Sequence, residues 1–329
     1  MVAQIYIEPA TRENFDEASY LLANPDVASA IDNNQVASAW WHFDNFGHRE
    51  GRVLMHRKEV LAKKTRKIDR IRQELLISNM DLGTHECGAI NCLSHDSIKR
   101  GGVINIAALS SNDYDGVPQS FIENNPDAWI LDAGAGIRKK YYCNVVNFEI
   151  CAYDTTDVLG ICEELPFKDN IFDFVHSNAV LEHVKNPFDC AAELYRVLKP
   201  GGELFCAVPF LQPYHGYPDH YYNMTANGVR NLFPESLEVM EQYVPYYYFP
   251  LFAASWFLGS WTRGLSEGTK EEFMNMQVRE FIEAAPRDLE RAICTELDSA
   301  KIFELASGTV LRGRKMRATV PACSVLSGS

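Results

Sequence analysis

Asp132, Gly134 and Gly136 close a short apolar run in the stretch WILDAGAGIRKKYY, Trp129 to Tyr142, and Glu149 follows 17 residues after Asp132. Two glycines let the backbone turn tightly and present N–H groups that side chains would block. A dinucleotide turn would carry a third glycine, and here the sequence continues GAGIRKK. The acid directly ahead of the glycines would repel a pyrophosphate but can face a cationic amino-acid group. An acid at the end of the next strand can accept hydrogen bonds from both ribose hydroxyls. A nucleoside with a cationic amino-acid tail and no phosphates meets both conditions, as S-adenosylmethionine does.

A second cluster lies in PFLQPYHGYPDHYYNMTANGVRNLF, from Pro209 to Phe233. His215 and His220 are the candidate catalytic residues, in that order, as a base for a hydroxyl nucleophile. Tyr214, Tyr217, Tyr221 and Tyr222 could wall a ring or a sugar face. The competing reading is a rigid lid whose histidines bond the backbone. A metal held by His215, Asp219 and His220 is less favoured, and no metal is assigned. In THECGAINCLSHDS, Cys87 and Cys92 are flanked by His85 and His95, but the second half of a zinc finger is missing, so a loop with free thiols is expected.

The elements that must position these groups follow from periodicity. AWILDAGAG, NVVNFEI, TDVLG, IFDFVHSNAV and GELFCAVPF read as strands, and NPFDCAAELYRVLKPGG as a helix with a Lys-Pro-Gly-Gly stop. ESLEVMEQYVPYYYF and FELASGTVLRGRK read as two further strands, flanking an apolar and charged helical insert at 249–301. Alternation of this kind gives an α/β fold, a mostly parallel sheet with helices on both faces.

Residues from about Ala128 to Phe233 resemble the class I S-adenosylmethionine-dependent methyltransferases of the type 11 kind. The resemblance is carried by LDAGAG, Glu149, LPFKDNIFDFV, LEHV and RVLKPGG at these intervals, over roughly a third of the chain. It implies a seven-stranded Rossmann-like sheet with S-adenosyl-L-methionine as cofactor. Asp132, Ala133, Gly134 and Gly136 would hold the methionine end and Glu149 the ribose. Ile161, Cys162 and Glu163 would lie along adenine, and Ser177, Asn178 and Ala179 would close the site beneath the sulfonium. The chain departs from the family at Ile161, where an acid that bonds the adenine amino group is common. Adenine would then be held by backbone groups and apolar stacking. Glu182 and His183 begin a helix in this reading, with His183 bonding across to a loop.

Around this domain, residues 1–52 read as a small helical module. Asn24, Pro25, Asp26, Val27, His42, Phe43, Gly47, Glu50, Gly51 and Arg52 resemble a module found beside bacterial glycosyltransferases. Residues 53–104 read as a basic helical connector plus the Cys/His loop, and 105–329 as the methyltransferase domain. Nine Lys/Arg against three acids from Arg52 to Leu76 give this segment +6 in a chain of net charge -13. Leu54, Leu61, Ile68 and Leu75 fall seven apart. A solvated connecting helix is the first expectation, a homodimer through helix 53–76 the second, and contact with an anionic membrane or nucleic-acid surface the third.

The overall negative charge speaks against a nucleic-acid partner. The start lacks the pattern of a secretory signal, and nine scattered cysteines suit a reducing cytoplasm. The expected activity is O-methylation of a sugar, glycan or related small molecule. The alternatives are a quinone, lipid or secondary-metabolite acceptor, and a non-catalytic cofactor-binding scaffold.

Overall fold

The computed structural model describes residues 3–77, 82–102, 113–114, 116–216 and 219–305. It divides into two compact units, Met1–Phe249 and Pro250–Ser329.

The strands of the first unit are β1 (Gln4–Ile5), β2 (Ile7–Pro9), β3 (Val53–Met55), β4 (Gly83–Thr84), β5 (Ile90–Asn91), β6 (Ile130–Ala133), β7 (Lys140–Tyr141), β8 (Val145–Glu149), β9 (Val158–Leu159), β10 (Phe172–Asn178) and β11 (Leu198–Ala207). Seven of them form one sheet in the order β11-β10-β6-β8-β9-β5-β4. Every pairing in it is parallel except β4 with β5. The order reverses about β6, so the ends of β6 and β10 face the crevice where such sheets bind ligands.

Strands β6, β8, β9, β10 and β11 lie where the periodicity puts them, but the two expected C-terminal strands are not found there. Residues 238–245 form no strand, and Tyr246–Tyr248 is a single 3-10 turn. Val239, Met240 and Val244 stay exposed there, so no burial rewards an extended ladder. The other expected C-terminal strand lies mostly outside the described residues, and its described part belongs to the helix Ser299–Leu305. The sheet is completed at the opposite edge by β4 and β5, two-residue strands from the stretch expected to be a Cys/His loop.

Between β6 and β8 a helix is expected, since parallel neighbours usually need one. Only residues 134–144 bridge them, and they hold the short strand β7, which pairs antiparallel with β1. The connector helix helps cover the sheet. Ile68, Ile71, Leu75 and Leu76 join Leu131, Val146, Phe148 and Val175 in the main core, while Val60 packs with Tyr6 and Tyr141. Its basic residues are partly internal too. Lys67 Nζ lies 2.5 Å from Asp157 Oδ2, and Lys64 Nζ donates to the carbonyls of Cys87 and Asp154. The connector is therefore not simply a solvated helix: Ile68 and Leu75 are buried in the main core and Leu54 in the core of the N-terminal module.

The N-terminal module has its own core of Tyr20, Val27, Ala39, Phe43 and Leu54. The Arg52 guanidinium grips Asp26 with two bonds of 2.9 and 2.8 Å. The Asn24 side chain ties the helix Glu17–Ala23 to β3 through the carbonyls of Tyr20 and Val53.

The second unit is helical in its described part. Trp261, on the helix Pro250–Arg263, donates to the Ile293 carbonyl and packs near Phe273 and Phe281. No helix among the described residues is long and apolar enough to cross a membrane.

Candidate active site at the carboxyl ends of β6 and β10

Asp132 lies at the end of β6, fully buried, and its carboxylate is in use. Oδ2 accepts from Arg138 Nε at 2.8 Å and Nη2 at 2.7 Å and from the Tyr114 hydroxyl. Oδ1 meets His176 Nδ1 at 2.8 Å. Burial alone would raise its pKa, but the Arg138 charge and the bond from His176 outweigh it and hold the group at about 2. Asp132 is expected from the sequence to face a ligand's cationic tail; in the structure the cation that faces it is Arg138, six residues further on.

The glycine turn is likewise satisfied internally. The N–H groups of Gly134 and Ala135 donate to the Phe148 carbonyl at 2.9 and 3.1 Å. That of Gly136 donates to Glu149 Oε2 at 2.6 Å. Gly134 has φ +77, and a Cβ there would come 2.3 Å from Val180 Cγ2, so the glycine admits Val180 as well as the turn. Ala133 is buried in the main core. Glu149 also accepts from the N–H groups of Ile150 and Cys151. Burial raises its pKa against those three backbone bonds. A carboxylate has about four acceptor sites, so capacity for a ribose hydroxyl remains.

Ile161 and Cys162 are buried beyond β9. Burial raises the Cys162 thiol well above its ordinary range and also raises the Glu163 carboxyl. Ile161 and Cys162 are apolar, and the acid nearest them along the chain is the partly buried Glu163.

The end of β10 is different. Ser177 Oγ and Asn178 Oδ1 are buried with no hydrogen-bond partner. Ala179, next along, has φ +56, a left-handed conformation that is strained for a residue with a Cβ. No group among the described residues meets these polar atoms, so their hydrogen-bonding capacity is unspent. Three residues later Glu182 is fully buried, and neither carboxylate oxygen has a partner. Burial raises it to about 8.

The acceptor-side segment folds onto this turn. The N–H groups of Tyr221 and Tyr222 both donate to the Glu182 carbonyl, at 2.7 and 3.2 Å. His183 and His215 rings meet edge to face at 5.1 Å, and those of His215 and His220 at 4.3 Å. His215 Nδ1 lies 2.8 Å from the Pro213 carbonyl. His220 is engaged at both ring nitrogens: Nδ1 accepts from the His215 N–H, and Nε2 meets Asn223 Oδ1. His220 thus has both ring nitrogens engaged within the segment, and His215 has its Nδ1 held by a carbonyl. The Asp219 carboxylate turns to Tyr214 and to the His220 N–H. Tyr214 and Tyr222 are exposed, and Tyr217 lies outside the described residues.

Sequence reasoning missed Arg138, His176, Tyr114 and the orphaned Glu182. A histidine inside a buried strand does signal a buried partner, and His176 could have been found that way.

Residues 137–206 match the methyltransferase domain family. An uncharacterized methyltransferase of Schizosaccharomyces pombe is 35% identical over 97 residues, 29% of this chain and 34% of that protein. A demethylmenaquinone methyltransferase of Listeria welshimeri is 49% identical over 47 residues, 14% of this chain and 20% of that one. The chain thus spans about a third and a fifth of these relatives. A solved Bacillus halodurans structure, provisionally assigned as a methyltransferase, is 17% identical and covers 51% of this chain and 88% of its own. Its TM-score of 0.29 is too low to bear on the fold, which rests on the strand order itself.

Proposed function

From a chain whose residues 137–206 carry a methyltransferase domain, we propose an enzyme that transfers a methyl group from S-adenosylmethionine to an oxygen of a sugar or related polyol. The observation that carries the cofactor reading is the end of β10, where Ser177 Oγ and Asn178 Oδ1 are buried without partners beside the strained Ala179.

The residues fit this cofactor in a particular way. Asn178 Oδ1 would accept from the ammonium, Glu149 would use its remaining acceptor capacity on the ribose, and Ile161 and Cys162 would pack on adenine. Asp132 acts one step back, holding Arg138 and the turn. Bound there, the sulfonium supplies an activated methyl carbon, so the protein's task is alignment plus a base. His215 takes the hydroxyl proton as the oxygen–methyl bond forms and the sulfur–methyl bond breaks, its electron pair staying on sulfur.

A sugar acceptor is supported by the tyrosines and histidines of 214–222 and by the N-terminal module's likeness to one found beside glycosyltransferases. A quinone or lipid acceptor is the second reading, favoured by the printed name of the Listeria relative and by the exposed Leu251 and Phe252 of the second unit. The reading places the enzyme in the cytoplasm.

Calorimetric titration with S-adenosylmethionine and S-adenosylhomocysteine tests the proposal. Micromolar binding, about -8 kcal/mol, lost in Asn178→Ala and weakened in Glu149→Ala, is expected. No binding of either ligand would overturn it. Glycan and quinone acceptors, offered to the same preparation, separate the two acceptor readings.

A further inference from the structure

Glu182 is a buried carboxylate whose partner does not come from the described chain. Both of its oxygens lack a hydrogen-bond donor although the residue is fully buried. Buried polar groups in folded proteins are met by something, and none of the described residues meets this one.

Two imidazoles stand beside it. His183 Nε2 lies 3.8 Å from Glu182 Oε1. His183 Nδ1 is 2.7 Å from the Asp219 carbonyl, and His215 Nδ1 is 2.8 Å from the Pro213 carbonyl. A carbonyl only accepts, so each Nδ1 carries the proton and each Nε2 is the basic nitrogen. Histidines that bind metals are held in this manner, with the far nitrogen donating to a backbone carbonyl or carboxylate. The backbone makes room for it. Gly216 has φ +117, and a Cβ there would come 2.4 Å from His183 Cε1.

The ligand atoms of Glu182, His183 and His215 lie within 4.8 Å of one another, and no other such trio occurs among the described residues. Bonds of ~2.1 Å to a cation put donors about 3 to 3.5 Å apart, so small side-chain rotations would close the set. The trio differs from the His215, Asp219 and His220 set suggested by sequence, because Asp219 contributes its carbonyl and His220 is engaged elsewhere.

We propose that Glu182, His183 and His215 bind a divalent transition-metal cation through two imidazole nitrogens and one carboxylate. Zinc, manganese, cobalt and ferrous iron suit this donor set, and three protein ligands leave positions open for an added oxygen. An acceptor hydroxyl is the oxygen to expect there; that part alone rests on the methyltransferase reading. A bound ion would lower the hydroxyl's pKa so that its proton could pass to solvent water, with His215 then acting as ligand in place of its role as base.

The test uses the full chain, stripped with chelator, titrated with Co2+ by absorption and with Mn2+ and Zn2+ by calorimetry. The expected result is one equivalent of cation, a cobalt spectrum without thiolate charge transfer, and affinity at least tenfold weaker in both Glu182→Gln and His215→Ala. Cys87→Ser should bind as the parent does, which separates this site from the Cys/His loop. Absence of saturable binding to all three cations would overturn the proposal, as would binding unchanged in both variants or lost in Cys87→Ser. S-adenosylmethionine titration on the same samples keeps the two readings apart: cation binding without cofactor binding sinks the methyltransferase reading and leaves the metal site standing.

Discussion

The ends of β6 and β10 are neighbours in one sheet, yet they are finished in opposite ways. At β6 the acid and the turn donors are satisfied within the chain: Asp132 by Arg138, His176 and Tyr114, the Gly136 N–H by Glu149. At β10 Ser177, Asn178 and Glu182 keep buried polar atoms without partners. The first end is built as scaffold, and the second is where the proposed site lies. A closed network fixes the backbone at a cost met during folding, and an open one keeps its hydrogen-bonding capacity for a ligand. A signature motif therefore marks the neighbourhood of a site without naming the atoms that touch the ligand.

The sharpest way to break this comparison is to remove the charge from the closed end. Asp132→Ala removes the carboxylate that holds the Arg138 guanidinium, 3% exposed, through Nε and Nη2. A loss of about 3–5 kcal/mol in urea unfolding is expected. Removing both charges, as Asp132→Leu with Arg138→Met, should cost less than the single change. A single substitution that is nearly neutral would show that the network is not the scaffold.

The same carboxylate sets an acid limit. Its folded pKa of about 2 lies below its ordinary value of 3.8, so its stabilisation is fully present above that value. It is lost as pH falls from about 4 to about 2, a change of roughly 2 kcal/mol. Acid titration of stability should show this loss in the parent and not in Asp132→Asn.

At the open end the balance reverses. Asn178→Ala should change unfolding stability by less than ~1 kcal/mol, since no partner is left behind, and weaken S-adenosylmethionine by about 1–3 kcal/mol. If it costs stability and spares binding, scaffold and site have been exchanged.

Much of this was legible in the sequence. β6, β8, β9, β10 and β11 announce themselves as apolar runs punctuated by turns, and the helix Pro187–Val197 by its proline start and its charged outer face. β4 and β5 did not, because two residues carry no period. The connector misled for a different reason: its lysines looked solvated, yet Lys64 and Lys67 reach buried oxygens contributed from far along the chain. Arg138 was passed over, because nothing in GAGIRKK marks its side chain as internal. The metal trio joins Glu182 and His183 to a residue 32 positions beyond His183, a pairing that only the packed loop reveals.

Ala179 carries the smallest of these effects. Its φ of +56 places a Cβ where the following carbonyl crowds it, at a cost of roughly 1 kcal/mol. Glycine would relieve that strain, but it would also enlarge the freedom of the unfolded chain. Ala179→Gly should therefore stabilise the protein by only about 0.5 kcal/mol, read as a shift in urea midpoint at unchanged slope. Glycine also lets the segment leave the left-handed conformation in the free protein, so Ser177 and Asn178 are less firmly pre-set. Cofactor affinity should fall, by about threefold or less, as stability rises. Opposite signs for the two quantities are what a strained binding residue produces. If both rise together, the strain serves no ligand, and the open end of the comparison narrows to Asn178 and Glu182.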